Sequence, residues 1–130
     1  MSVGILLLTH AGGAGAYVPL VQRLLGRLPL RIETFELEFD AQIDAVLPAA
    51  SAALRRADDG DGVLILTDLY GASPSNLAAR LTQLGTPARR VAGLSLPMLL
   101  RACNYADLGL DDLAQTAVSG GKTGVVLDHG

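Results

Sequence analysis

Two residues that can carry chemistry stand just beyond apolar runs. His10 follows the run at residues 3–8 by two positions, and Asp68 follows the run at residues 63–66 by two positions. Such runs are typical of parallel strands that are buried on both faces. Reacting groups collect where parallel strands end. If the two strands are neighbours, the Asp68 carboxylate accepts the Nδ1 proton of His10, and Nε2 is left as a nucleophile.

A helix start supplies a candidate anion site at the same edge. Ser73 fits the N-cap of this helix and Pro74 its first helical position. The first backbone N–H groups, at about Ser75 and Asn76, have no partner within the helix, and such groups bind phosphate. A nucleophilic imidazole, an orienting carboxylate and an anion cradle together describe a histidine that accepts a phosphoryl group.

Each of these signals also has an ordinary structural explanation. A histidine at a strand end is often structural, and Asp68 can simply cap a turn. The glycines after His10 can do no more than permit a tight loop. They do not form a dinucleotide-binding motif, because Val18 stands where the last glycine would be, and no Walker A motif occurs. By spacing alone, the phosphohistidine hypothesis stays open.

The composition predicts one compact domain over residues 1–130, because 50% of the residues are hydrophobic and 18% are charged. A net charge of -3 argues against nucleic-acid binding, which normally needs a basic patch. No apolar run approaches the roughly 20 residues of a membrane span, and no signal peptide is recognised. Cys103 is the only cysteine, which fits a reducing cytoplasm. No metal-ligand cluster occurs, so neither a metal nor another cofactor is expected.

The remaining elements predict a three-layer α/β sandwich whose mostly parallel central sheet of four strands has helices on both faces. The predicted strands are residues 3–8, 31–37 near the sheet edge, 63–66 and 90–92, with a short antiparallel edge strand at 123–127. Apolar stripes predict helices over residues 17–28, 40–57, 73–84, from 96 onward, and 110–118. Asp40 is expected to cap the second helix and Pro48 to kink or divide it. Gly120 and Gly121 are expected to end the last helix.

Three segments together resemble the IIA component of the mannose family of the bacterial sugar phosphotransferase system. They are Leu8-Thr9-His10, the segment Asp-Leu-Tyr-Gly-Ala-Ser-Pro-Ser-Asn at residues 68–76, and Gly-Leu-Ser-Leu-Pro-Met-Leu at residues 93–99. The resemblance covers essentially the whole chain in order and length, and its second segment is the most specific.

The resemblance implies a dimeric α/β domain whose last strand is exchanged between subunits. It also implies that the histidine-containing phosphocarrier (HPr) places a phosphoryl group on Nε2 of His10 while Asp68 orients Nδ1. The residues then expected to surround the phosphoryl group are Thr9, Ser73, Ser75 and Asn76. The sequence departs from the family pattern at Ala11 and Ala72, commonly glycine, and at Ser95, commonly asparagine. None of these changes removes the nucleophile or the carboxylate.

The expected function is therefore that of a cytoplasmic phosphocarrier that meets the membrane only through transporter partners. Because the chain ends at Gly130, the IIB partner that accepts the phosphoryl group is expected to be a separate protein. Two alternatives remain. One is a regulatory module whose phosphorylation gates binding to a partner outside transport, and the other is the phosphoryl donor subunit of a dihydroxyacetone kinase.

Overall fold

A computed structural model describes residues 1–130 and contains four strands in one parallel sheet. The strands are β1 (Ser2–His10), β2 (Ile32–Leu37), β3 (Gly60–Thr67) and β4 (Ala88–Ala92), in the order β2-β1-β3-β4. The helices are α1 (Tyr17–Leu25), preceded by a 3₁₀ turn at Ala14–Ala16, then α2 (Ile43–Ala57), α3 (Ser73–Leu81), α4 (Leu96–Asn104) and α5 (Leu110–Thr123). None of these helices is long and apolar enough to cross a membrane.

The sheet separates two apolar layers, as predicted. Every residue of β1 from 3 to 9 is buried, and successive side chains face opposite layers. Ile5 and Leu7 pack in the layer of α1, α4 and α5, whereas Leu6 and Leu8 pack in the layer of α2 and α3. A strand covered on both faces has to be apolar throughout, which explains the uninterrupted run in the sequence.

The strand order places the ends of β1 and β3 side by side. Leu8 of β1 pairs with Thr67 of β3, so the residues that follow them leave the sheet at adjacent points. Within the sheet, β2 lies next to β1 on one side, and β3 lies next to β1 on the other side. This reversal of strand order is where open α/β sheets form a crevice for ligands.

The expectation that Asp40 caps α2 is wrong. The helix begins at Ile43 with Gln42 as its N-cap, and no side chain caps it, so Asp40 does not have that role. Residues 39 and 40 instead form a turn that the backbone hydrogen bond from Ala41 N–H to Glu38 O closes. The helix is continuous from Ile43 to Ala57, so Pro48 does not divide it. The expected kink at this exposed proline stays a prediction.

The prediction that Gly120 and Gly121 end the last helix is also wrong. Both glycines lie inside α5, where a Cβ at residue 120 would stand 2.4 Å from Cβ of Arg101. A Cβ at residue 121 would stand 2.9 Å from the methyl group of Met98. These glycines therefore allow α5 to lie close against α4.

The predicted strand at residues 123–127 does not form in the single chain. Thr123 closes α5, Gly124 is its C-cap, and residues 125–130 have no regular structure. Val125, Val126 and Leu127 are 75–85% exposed. An isolated strand of this length has nothing to pair with unless it reaches a free sheet edge. The exchange of this strand between subunits stays a prediction.

Candidate active site

The centre of the site is a carboxylate–imidazole pair at the ends of β1 and β3. His10 is the last residue of β1, and Asp68 directly follows β3. Oδ2 of Asp68 lies 2.8 Å from Nδ1 of His10 and accepts the backbone N–H of His10 at 3.0 Å. A carboxylate beside Nδ1 requires the proton on that nitrogen, so the neutral ring carries its free lone pair on Nε2.

The surroundings of Asp68 keep it ionised. Burial raises the pKa of its carboxyl group, but the two hydrogen bonds from His10, the charge of the imidazolium form and the backbone N–H of Asp68 itself lower it, and the net pKa lies below the ordinary value for an aspartate. The side chains of His10 and Asp68 are 25% and 31% exposed. The second carboxylate oxygen, Oδ1, is buried without a hydrogen-bond partner. His10 is therefore the only other residue that forms hydrogen bonds with the Asp68 side chain.

A second contact to the imidazole comes from Phe39, in the turn after β2. The ring centroids of Phe39 and His10 are 5.0 Å apart, with the planes inclined by 21°. Stacked rings at this distance attract each other. Phe39 is not among the site residues predicted from the sequence. The available signal was a lone aromatic residue in a polar turn just beyond an edge strand.

The loop after His10 is held by Glu36, which is also not among the site residues predicted from the sequence. The two carboxylate oxygens of Glu36 accept the backbone N–H groups of Gly12 and Gly15, each at 2.8 Å. These bonds, the one from Gly12 first, lower the pKa of the exposed Glu36 carboxyl against a small opposing effect of burial. Gly12 has φ +91°, a conformation that favours glycine. An acidic residue near the carboxyl end of the strand beside β1 was the available signal.

Two of the expected phosphoryl-binding residues have hydroxyl groups that bond within the protein. Thr9 is buried, and its hydroxyl donates to the backbone carbonyl of His10 at 2.8 Å. Ser75 is buried as well, and its hydroxyl and carbonyl oxygens accept from Arg90 of β4 at 3.1 and 3.0 Å. The Thr9 hydroxyl would have to leave the His10 carbonyl to donate to a phosphoryl group. The Ser75 hydroxyl accepts from Arg90, so its own proton is not used by that bond.

The other two expected residues, Ser73 and Asn76, line an open cleft of about 490 Å³. The cleft lies between the amino-terminal ends of α2 and α3, and an ion pair of 3.0 Å between Arg80 and Asp44 lies within it. Ser73 is the first residue of α3 rather than its N-cap, a role that Ala72 takes without a capping side chain. No hydrogen bond joins Ser73 or Asn76 to His10, so their role toward a phosphoryl group stays a prediction.

The three departures from the family pattern fit the backbone without strain. Neither Ala11 nor Ala72 has a positive φ, so a side chain is accommodated at both positions. Ser95 is the N-cap of α4, and its hydroxyl accepts the N–H of Met98 at 3.3 Å. A serine is among the residues that cap helices best.

Comparison with known proteins assigns the family. The family model described as "PTS system fructose IIA component" matches residues 4–118. The sorbose-specific EIIA component of Lacticaseibacillus casei is 30% identical over 117 residues, which are 84% of this chain and 78% of that protein. The mannose-specific EIIAB component of Escherichia coli K12 is 28% identical over 127 residues, 96% of this chain. The chain spans about two fifths (39%) of that longer relative.

A solved structure shows the same fold. The mannose/sorbose-specific IIA subunit from Enterococcus faecalis superposes with a TM-score of 0.85 at 24% identity, over 98% of this chain and 96% of that one. The fold of the chain and its sequence matches therefore indicate the same family. The chain belongs to the mannose family of IIA components of the phosphotransferase system.

Proposed function

We propose that this IIA component is a phosphocarrier whose His10 accepts a phosphoryl group from phosphorylated HPr and passes it to a IIB partner in sugar uptake. The observation that carries the proposal is the 2.8 Å contact between Asp68 Oδ2 and His10 Nδ1. It leaves Nε2 as the free nitrogen of a partly exposed ring at the edge of the sheet where ligands bind.

The phosphoryl transfer needs no reactant other than His10 and the phosphorylated donor. The Nε2 lone pair of His10 attacks phosphorus, the new P–N bond forms, and the P–N bond to the donor imidazole breaks with its electron pair returning to the donor nitrogen. The proton on Nδ1 stays in place, so the ring gains positive charge as the bond forms. The Asp68 carboxylate stabilises that charge where it develops, as the aspartate of a catalytic triad does.

The amino-terminal end of α3 is the proposed place for the phosphoryl oxygens. Ser73 and Asn76 are exposed there, and the first N–H groups of the helix carry partial positive charge.

The next transfer, to the IIB partner, reverses the first: an acceptor attacks phosphorus and the P–N bond to Nε2 breaks. In this role the protein works in the cytoplasm and reaches the membrane only through its transporter partners.

We further propose that the chain functions as a homodimer with exchanged C-terminal segments. The outer edge of β4 has no strand partner within the chain, and unpaired edges favour pairing with another chain. The exposed apolar residues 125–127 can supply that strand. Sedimentation equilibrium of the full chain and of a variant that ends at Gly124 tests this proposal. A dimer that persists after truncation contradicts the exchange, and a monomeric full chain contradicts the dimer.

Intact-protein mass spectrometry after incubation with phosphorylated HPr tests the proposed function. We expect a mass gain of one phosphoryl group that is lost in acid, as phosphohistidine is. His10→Ala is expected to abolish the gain. His129→Ala is the matched control, because His129 is the only other histidine and lies in the exposed tail. If the wild-type protein gains no mass, or if the His10→Ala variant still gains the mass of a phosphoryl group, the result contradicts the proposal.

A further inference from the structure

Phe39 is an aromatic residue that is not buried in the apolar core. The residue is 81% exposed, although its ring stacks on His10 at a centroid distance of 5.0 Å. Exposed apolar side chains are common and individually carry little information. Phe39 differs from them because its ring contacts His10, the proposed nucleophile.

We propose that Phe39 is a positioning residue for phosphoryl transfer at His10, an inference that rests on the proposed function. The hydrogen bond to Asp68 holds the imidazole at one atom, Nδ1, and acts in the plane of the ring. The ring is also held at Cγ by its bond to Cβ, so the motion left to it is a small rotation about that bond, which tilts the ring and bends the hydrogen bond. Contact with the face of the ring opposes the tilt, so the two contacts together define where Nε2 points.

The stacked ring leaves the reactive direction open. The lone pair of a ring nitrogen lies in the ring plane, whereas Phe39 covers a face, and the planes are inclined by only 21°. The side chain of His10 remains 25% exposed. A phosphoryl donor therefore approaches Nε2 in the plane of the imidazole while Phe39 keeps its contact. Because transfer depends on the alignment of the reacting atoms, loss of the contact slows the reaction without preventing it.

The turn that carries Phe39 is anchored to the same part of the site. Ala41 N–H donates to Glu38 O at 3.1 Å and closes the turn, while Ala11 N–H donates to Leu37 O at 3.0 Å. The residue that follows His10 is thus tied to the strand end from which Phe39 projects. The turn brings the phenyl ring to His10 without a contribution from the apolar core.

Rapid-quench phosphorylation of Phe39→Ala by phosphorylated HPr tests the inference. At saturating HPr, we expect the single-turnover rate to fall about two- to tenfold, the effect of losing one aromatic pair. The HPr concentration at half-maximal rate should not change. Phe39→Tyr keeps the ring and should keep a rate close to that of the unmodified protein. Tyr105→Ala, which removes a half-exposed aromatic residue at the far end of α4, is the matched control and should have no effect.

The outcomes separate the possible explanations. An unchanged rate in Phe39→Ala overturns the inference, as does a Phe39→Tyr protein that is equally slow. If only the HPr concentration at half-maximal rate changes, Phe39 contributes to HPr binding rather than to the position of His10. This result also overturns the inference. The chemical shifts of the His10 ring protons should move on Phe39→Ala in the unphosphorylated protein, and absent movement overturns it too. If the unmodified protein accepts no phosphoryl group, the proposed function itself fails.

Discussion

Asp68 binds His10 twice through one oxygen, because Oδ2 lies 2.8 Å from the ring nitrogen Nδ1 and 3.0 Å from the backbone nitrogen. The backbone bond fixes the carboxylate relative to the end of β1, and the ring bond fixes the imidazole relative to the carboxylate. The orientation of Nε2 is therefore a property of two adjacent strand ends. This relationship leads to the first two predictions.

Asp68→Asn is expected to keep the fold and to slow phosphorylation of His10 by roughly ten- to a thousandfold. The amide is neutral and can offer an N–H to Nδ1, which favours the wrong tautomer and removes the charge that stabilises the transition state. Rapid-quench kinetics with phosphorylated HPr measure the rate, and circular dichroism checks the fold. A variant that is phosphorylated at the unmodified rate removes Asp68 from the mechanism.

The pair also predicts how stability depends on pH. The pKa of Asp68 is lower in the folded protein than in the unfolded chain, so its contribution to stability is present above the unfolded-state pKa and is lost as the pH falls through the folded-state pKa. Thermal unfolding of the unmodified protein and of Asp68→Asn, followed from pH 6 to pH 2, measures this. We expect the difference in Tm to shrink on acidification. A difference that is constant over the whole range contradicts the prediction.

Glu36→Gln is expected to loosen the loop after His10. A carboxamide has one acceptor oxygen, so it can keep only one of the two bonds from Gly12 and Gly15. NMR hydrogen exchange should show one of these two amides exchanging about two- to tenfold faster, as expected for the loss of one hydrogen bond. Glu38→Gln is the matched control, because Glu38 is a nearby exposed carboxylate for which no side-chain hydrogen bond is formed. Equal protection in the two variants contradicts the role given to Glu36.

Gly120→Ala is expected to destabilise the protein by about 1–3 kcal/mol, the usual cost of inserting a methyl group into a close contact. The new Cβ would lie 2.4 Å from Cβ of Arg101, so α5 must move away from α4. Ser119→Ala is the control, because Ser119 is an exposed residue beside Gly120 in α5. Urea unfolding measures both variants. Equal free energies of unfolding for the two variants would show that α5 does not require the small residue.

The elements that the sequence predicted best are those whose local pattern has one physical explanation. The runs at residues 3–8 and 63–66 are too apolar to face water on either side, so they had to be central strands. Once these strands are neighbours, the proximity of His10 and Asp68 follows from their positions just beyond the strand ends. The carboxylate–imidazole pair could therefore be predicted from the sequence.

Other features depend on contacts between distant segments and have no local signal. Gly120 and Gly121 resemble a helix stop in the sequence, but their small size serves the packing of α5 on α4. Glu36 bonds a loop more than twenty residues earlier in the chain, and Phe39 reaches His10 across 29 positions. The apolar residues 125–127 favour a strand in the sequence, but the single chain offers this segment no strand partner.

The site of phosphorylation tests the central claim most directly. We would phosphorylate uniformly ¹⁵N-labelled protein with HPr and record long-range ¹H–¹⁵N spectra of the histidine rings together with ³¹P–¹⁵N couplings. We expect phosphorus to couple to Nε2 of His10 while Nδ1 keeps its proton toward Asp68. Coupling to Nδ1 of His10, coupling to a nitrogen of His129, or no coupling to either ring would contradict it.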